Sequence, residues 1–283
     1  MSNAFRDFFN GLCAKVESRP GDYTDACGIL HCGVCHEPRI GVVKTRAGEE
    51  ITHPRTCACD RRYWAEVNAR EAEEKRRKHI QELRRLLPRG VRDCTFEADD
   101  SPDSPISITC RKYVKAWPEM YRRGDGIIFF GSVGTGKTYY AACIANALID
   151  MERRVLFTTV PDLVSRMSVF SDDRDEIISE LCAANLVVLD DLGAERDTEF
   201  AIEQVFALVS AREQSHKPTI YTTNLSMDEL RQCENIRRRR IYDRVLGSCP
   251  IQLQMPGKSR RAGAYEARRA EVRDILRGVS LDD

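Results

Sequence analysis

The sequence predicts an α/β fold, a parallel sheet with helices on both faces. Three observations predict it. The glycine-rich stretch Gly131-Ser132-Val133-Gly134-Thr135-Gly136-Lys137-Thr138 directly follows an apolar run and directly precedes a helical one. A later apolar run, Leu186–Leu189, ends in two adjacent carboxylates, Asp190 and Asp191. Around both, short β-rich runs alternate with amphipathic segments, the pattern of strands joined by covering helices.

Taken in order, strands are expected at Ile127–Phe130, Val155–Thr159, Leu186–Asp190, Thr219–Thr223 and Ile251–Gln254. Helices are expected over Thr138–Met151, a segment around Leu163–Leu181, and Thr198–Gln214. A further helix, about Ile106–Arg122, precedes the first strand, because Val114, Trp117 and Tyr121 recur at spacings of three and four. Upstream, residues 61–87 mix Arg, Lys and Glu with Trp64, Val67, Ile80, Leu83 and Leu86 at loosely helical spacing, until Pro88 and Gly90 stop the run. Residues 1 to about 60 read as irregular, rich in Cys, Gly and Pro. The chain therefore divides into a Cys-rich part (1–60), a charged linker helix (61–90) and the α/β part (91–283), with no internal repeat.

The 283 residues suffice for one full core and a smaller appendage. Hydrophobic residues make up 42% and charged ones 31%, which excludes a disordered chain. No apolar run approaches the roughly 18–20 residues of a membrane helix. Arg6, Asp7 and Asn10 interrupt the N-terminal apolar residues, so a secretory leader is not expected, and the cytoplasm is. Basic and acidic side chains balance at 44 each, without the overall basic excess of a nucleic-acid binder. Local basic clusters remain at Arg76–Lys78, Arg84–Arg85, Arg237–Arg240 and Arg260–Arg261. Of twelve cysteines, eight are scattered and fit reduced packing residues. The others form close pairs, Cys32/Cys35 and Cys57/Cys59, which call for a metal explanation.

The glycine-rich stretch matches GxxxxGKT in its strand–loop–helix context, the context that turns this pattern into a phosphate site. Gly131, Gly134 and Gly136 let the backbone fold tightly, so that N–H groups, Thr135 among them, point at phosphate oxygens. The helix that opens at Lys137, Thr138 and Tyr139 adds the positive end of its dipole. Lys137 is expected on the β- and γ-phosphates and the Thr138 hydroxyl on Mg²⁺. Asp190 can hold the same Mg²⁺, while Asp191, pointing the other way, can orient or deprotonate the attacking water. Asn224, at the end of the next strand, either holds water or the γ-phosphate at the carboxyl edge of the sheet, or is a turn residue. Arg240 and Arg244, four apart on one helix face, can reach a neighbouring subunit's γ-phosphate. The competing reading of Arg237–Arg239 is a solvated or nucleic-acid-contacting face.

The segments GSVGTGKT, LVVLDDLGAE, TIYTTNL and RRIYDRV, in that order, resemble the AAA+ domain of the DnaC/IstB family, which comprises bacterial and phage helicase loaders and ATPase subunits of some transposons. The likeness runs from about Leu87 to Arg268. It implies a P-loop ATPase core without a full lid domain, since only about thirty residues follow the last strand. By this resemblance Lys137 and Thr138 are the Walker A pair, and Asp190 and Asp191 the Walker B pair. The shorter Asp191 stands where the family often has Glu, which implies slow hydrolysis. Asn224 takes the sensor 1 position and Arg244 that of the arginine finger, with Arg240 close by. Arg261 falls at sensor 2, unless Arg260 takes that place. Candidates for the adenine side are residues around Phe96 and the Tyr113–Trp117 helix.

The N-terminal part resembles versions in which a CxxC and a CxC precede a charged helix. The implied ligand set for Zn²⁺ is Cys32, Cys35, Cys57 and Cys59, with His31, His36, His53 or Cys27 able to replace one of them. A short segment with little core needs such a staple. The resemblance further implies ATP and ADP with Mg²⁺ as ligands. The implied partners are a DnaB-like hexameric replicative helicase, single-stranded DNA and further copies of the chain, with no membrane. The expected function is ATP-dependent loading of that helicase. The alternatives are an IstB-like regulator of transposition and a DNA-binding adaptor with weak ATPase activity.

Overall fold

A computed structural model describes residues 16–44, 48, 50–169, 174–257 and 259–277. The chain divides into two units, Met1–Lys78 and His79–Asp283. In the first, short strands β1 (Tyr23–Thr24) and β2 (Leu30–His31) pair antiparallel, as do β3 (Ile40–Lys44) and β4 (Glu50–Pro54). These strands were not expected, because at this length and polarity they leave no readable alternation. Helix α1 (Ala58–Arg85) begins before the expected start at 61, and the division between units falls inside it.

Polar contacts hold the first unit together where apolar area is scarce. Buried Arg39 donates to the Asp22 carboxylate and the Glu17 carbonyl and lies 3.9 Å from Asp60. Arg19 pairs with Asp60, which sits in the first turn of α1, where the helix dipole favours a carboxylate. Backbone N–H groups of Arg19 and Gly33, with Arg39, pull the Asp22 pKa down to about 2. A Cβ at Gly33 would stand 2.1 Å from the Gly21 carbonyl oxygen, so only glycine fits at this position, directly after Cys32.

The second unit carries a five-stranded sheet in the order β6-β7-β8-β5-β9, all parallel. The strands are β5 (Ile127–Phe130), β6 (Val155–Thr159), β7 (Leu186–Leu192), β8 (Thr219–Thr223) and β9 (Ile251–Gln254). The family resemblance's fold is thus observed, a P-loop α/β core with a small Cys-bearing unit before it. Alternate side chains face opposite cores, as a period of two requires. Ile127, Phe129, Leu186 and Val188 face one core, while Ile128, Val187 and Leu189 face the other. Burying each such side chain contributes roughly 1.5–3 kcal/mol.

The expected helix over 106–122 is two helices, α2 (Pro105–Lys115) and α3 (Trp117–Arg123). Pro118 lacks the N–H a continuous helix would use, and Ala116 takes the break. Helix α4 (Lys137–Asp150) follows the glycine-rich loop. The segment around 163–181 is also two helices, α5 (Val160–Val169) and α6 (Arg174–Ala183). Helix α7 (Glu199–Gln214) starts at Thr198, whose side chain accepts the Ala201 N–H. Helices α8 (Met227–Arg231), α9 (Ile236–Ser248) and α10 (Arg260–Arg277) complete the unit. Helices α2 and α4 contribute to the first core, and α5, α6, α7 and α9 to the second.

Arg212 of α7 is buried without a carboxylate. Its guanidinium donates to the carbonyls of Leu181, Ala184, Asn185 and Pro218 and to Thr219 Oγ1, joining the strand starts at the edge of the sheet away from the loop. Among the described residues no helix is long and apolar enough to cross a membrane.

Candidate functional site

At the carboxyl edge of the sheet, β5 turns into α4 through the glycine-rich loop. Three glycines there take positive φ, Gly131 (131°), Gly134 (79°) and Gly136 (99°), in backbone space that other residues rarely enter. Two of them are crowded as well. A Cβ on Gly131 would come within 2.8 Å of the Met255 carbonyl, and one on Gly134 within 2.1 Å of Ser259 Oγ. The segment leaving β9 therefore packs on the loop and shapes it.

The cavity beside this loop has a volume of about 450 Å³. Val133, Gly134, Gly136, Lys137, Thr138 and Tyr139 line it from the loop and α4, Asp191 and Asn224 from the strand ends, and Ala98 and Asp100 from the chain before α2. The Lys137 ammonium donates to the carbonyls of Gly131 (2.7 Å) and Ser132 (2.8 Å). Thr135 Oγ1 donates to the Ser132 carbonyl at 2.9 Å, so its hydroxyl braces the loop.

The Thr138 hydroxyl donates to Asp190 Oδ1 at 3.0 Å. Asp190 is buried, and burial raises its pKa against the lowering effect of the Thr222 and Thr138 hydroxyls. A divalent cation would reverse that penalty, and a carboxylate beside a threonine hydroxyl is a hard-oxygen pair suited to Mg²⁺. Asp191 sits at φ 57°, where the register of β7 against β8 shifts between Leu189 and Leu192. This bulge carries β7 on to Leu192, past the expected end at Asp190, and gives Asp191 a place on the cavity wall.

Sequence reasoning missed Thr222. It is fully buried; its hydroxyl donates to Asp190 Oδ1 and accepts the Asp191 N–H at 3.0 Å. One side chain thus bridges both carboxylate residues, and the only sequence signal was the pair of threonines that ends the strand. Glu195 was also missed. It is buried, and its carboxylate accepts the Gly193 N–H at 2.8 Å, holding the loop that leaves β7.

Other expected residues lie elsewhere. Arg244 pairs with Glu213 and places its guanidinium 5.3 Å above the Phe206 ring. Arg240 lines a separate hollow of about 250 Å³ with Ile202, Glu203, Phe206 and Arg237. Neither arginine lines the cavity of its own chain. The backbone of Arg260 and Arg261 begins α10, but their side chains lie outside the described residues. Phe96, Tyr113 and Trp117, the candidates for the adenine side, are core residues; their neighbours Ala98 and Asp100 reach the cavity instead.

In the first unit, the sulfur atoms of Cys32, Cys35, Cys57 and Cys59 all lie within 4.8 Å of one another. Tetrahedral zinc with Zn–S near 2.3 Å requires sulfurs about 3.8 Å apart. The donor set and spacing fit that ion. Backbone N–H groups of Glu37 and Cys59 hold the Cys35 thiol down at about 6, while burial pushes Cys57 up to about 11. His31 is engaged elsewhere, at 3.0 Å from both Asp25 and the His36 carbonyl, so the cluster is made of cysteines.

A family model described as IstB-like ATP binding protein matches residues 114–265. The chain is 28% identical over 183 residues to the replicative helicase loader DnaI of Bacillus subtilis, covering 59% of this chain and 58% of DnaI. It is 27% identical over 188 residues to the replicative helicase loader DnaC of Escherichia coli K12, covering 62% of this chain and 74% of DnaC. A putative insertion sequence ATP-binding protein of Sinorhizobium fredii is 32% identical over 146 residues, covering 51% of this chain and 48% of that protein. The crystal structure of DnaI superposes with a TM-score of 0.51 at 23% identity, over 60% of this chain and 95% of that one, and supports the fold alone.

Proposed function

The chain belongs to the DnaC/IstB-like family of AAA+ ATP-binding proteins, and from that premise we propose that it binds and hydrolyses Mg-ATP to load a ring-shaped replicative helicase onto single-stranded DNA. The observation that carries the ATPase reading is the convergence of Lys137, Thr138, Asp191 and Asn224 on one cavity, with Asp190 hydrogen-bonded to Thr138 behind it. Lys137 would leave the loop carbonyls for the β- and γ-phosphates. Loop N–H groups and the α4 N-terminus would take the remaining phosphate charge. Thr138 and Asp190 would hold Mg²⁺, which draws charge from the phosphoryl oxygens as the bond breaks. Asp191 would accept the proton of the attacking water while Asn224 orients that water against the γ-phosphate. An arginine of a neighbouring copy, Arg240 or Arg244, would complete the site in trans. ATP would then favour the assembled state, and loss of the γ-phosphate would remove that preference.

Asp191→Asn separates binding from chemistry. The carboxylate faces the cavity without belonging to the Thr138–Asp190 pair, so ATP affinity should stay within about threefold of wild type. Hydrolysis should fall about 10²-fold or more, the usual worth of a general base. Calorimetric titration and a phosphate-release assay measure the two quantities. Unchanged turnover would remove Asp191 from the catalytic role.

Two relatives named as replicative helicase loaders support the loading reading, and the Cys-bearing first unit would serve as the docking module for the helicase. The test is size-exclusion chromatography with light scattering, using the hexameric replicative helicase of the same cell, with ATP and with ADP. A stable complex that is lost on substituting the cluster cysteines is the expected result. Absence of a complex with either nucleotide would shift the reading to the IstB-like alternative, which the insertion-sequence relative favours. In that case the chain should instead assemble on duplex DNA with ATP.

A further inference from the structure

Asp191 and Asn224 line the same end of the cavity but come from different elements. Asp191 belongs to the end of β7, and Asn224 follows the last residue of β8. A carboxylate and an amide that address one water must keep a fixed separation, since a misplacement of about 1 Å can cost about 10²-fold in rate. The regular ladder between the two strands does not supply it here, because the register shifts between Leu189 and Leu192.

Side chains supply it instead. β8 ends in Thr222 and Thr223, both fully buried, and as neighbours in a strand they point to opposite faces. Thr222 serves the Asp190 side, through Asp190 Oδ1 and the Asp191 N–H. The Thr223 hydroxyl donates to the Leu192 carbonyl at 2.7 Å and accepts the Leu225 N–H at 3.1 Å. Leu192 directly follows Asp191, and Leu225 directly follows Asn224. One hydroxyl therefore ties together the residues next to both. Its single proton is committed to one strand end and a lone pair to the other, so both bonds have a fixed direction. Just beyond this tie the two loops touch, since a Cβ on Gly193, at φ 90°, would stand 2.9 Å from Leu225 Cδ1. Thr223 does not itself line the cavity, so its effect on the chemistry must pass through its neighbours. We infer that Thr223 is a positioning residue for hydrolysis, whose hydroxyl sets the spacing of Asp191 and Asn224. The inference rests on the ATPase reading of the cavity and adds to it the means by which two strand ends are held together for the chemical step.

The experiment measures two quantities on the full chain. Phosphate release gives kcat, and calorimetric titration with a non-hydrolysable ATP analogue and Mg²⁺ gives affinity. Wild type, Thr223→Val and Thr223→Ser are compared, with folding followed by a thermal melt. Thr223→Val keeps the branched shape and removes the hydroxyl. It should lower kcat about tenfold or more and leave affinity within about threefold of wild type, because Lys137, Thr138 and Asp190 are not tied through it. Thr223→Ser, which keeps the hydroxyl and loses the methyl, should return kcat to within about threefold of wild type. A merely structural role would not give that split, nor that rescue. Should Thr223→Val melt too low to assay, Thr223→Cys carries the same prediction, since its thiol is a weak donor on the same β carbon. A wild-type kcat in the variant without hydroxyl overturns the inference and leaves the ATPase reading standing. So does a loss in Thr223→Ser as large as in Thr223→Val, or a fall in affinity as large as the fall in kcat. If wild type itself releases no phosphate, the ATPase reading falls, and the inference with it.

Discussion

Lys137→Ala should lower the affinity for Mg-ATP about a hundredfold or more and leave no measurable hydrolysis. The size follows from what the ammonium would do. It is 5% exposed, held at the mouth of the loop, and its charge-assisted hydrogen bonds to phosphate would form in a site largely closed to water. About 2.7 kcal/mol corresponds to that factor. The substitution also releases the Gly131 and Ser132 carbonyls, so a loss of stability could imitate a loss of binding. A thermal melt separates the two, because the β5 core of Ile127, Ile128 and Phe129 is untouched and the transition should move by only a few degrees. Affinity within threefold of wild type, in a chain that melts normally, would show that the cavity does not take polyphosphate through this lysine.

Much of this site was legible in the sequence because its chemistry is local. A glycine-rich loop between strand and helix needs only contiguous residues, and all five sheet strands begin at the residues expected from their apolar runs. What stayed hidden depends on contacts across the fold. Asp191 reaches the cavity through a bulge, and that bulge is held by the Thr222 hydroxyl of the adjacent strand. The residue after an apolar strand carries no sign of positive φ unless it is glycine. The break at Ala116 was missed for a different reason, since helical spacing on both sides of a short interruption reads as one helix. Ala98 and Asp100 carry no motif that marks them for the cavity wall, whereas Phe96 and Trp117, the candidates for the adenine side, are spent in the core. The arginines proposed to act in trans depend on a neighbouring copy that one sequence does not contain. Their spacing on α9 is plain, but Arg244 is met in the structure at Glu213 and Phe206, within its own subunit.

The second large effect concerns the cysteine cluster. Purified chain should carry one zinc ion per subunit, and removing it should unfold the first unit while leaving nucleotide binding intact. The described part of that unit has a small apolar core, in which Cys32, Cys57 and Ile51 are its buried hydrophobic residues. The ion pairs around Arg39 and Asp60 organise it but are weak substitutes for buried area. A four-thiolate zinc site contributes an apparent binding energy of about 10–16 kcal/mol that exists only when the ligands are assembled, so it acts as folding energy. Cys57 is fully buried, and Cys57→Ser replaces a soft ligand with a poor one without a large change of volume. The expected result is loss of the metal by elemental analysis and rapid proteolysis within residues 16–78, with Mg-ATP affinity within about twofold of wild type. Proton competition for the thiols predicts that zinc retention weakens as pH falls. A metal-free chain whose first unit resists protease as well as the wild type would mean that the four sulfurs are packing residues, and that the polar network around Arg39 and Asp60 suffices to fold it.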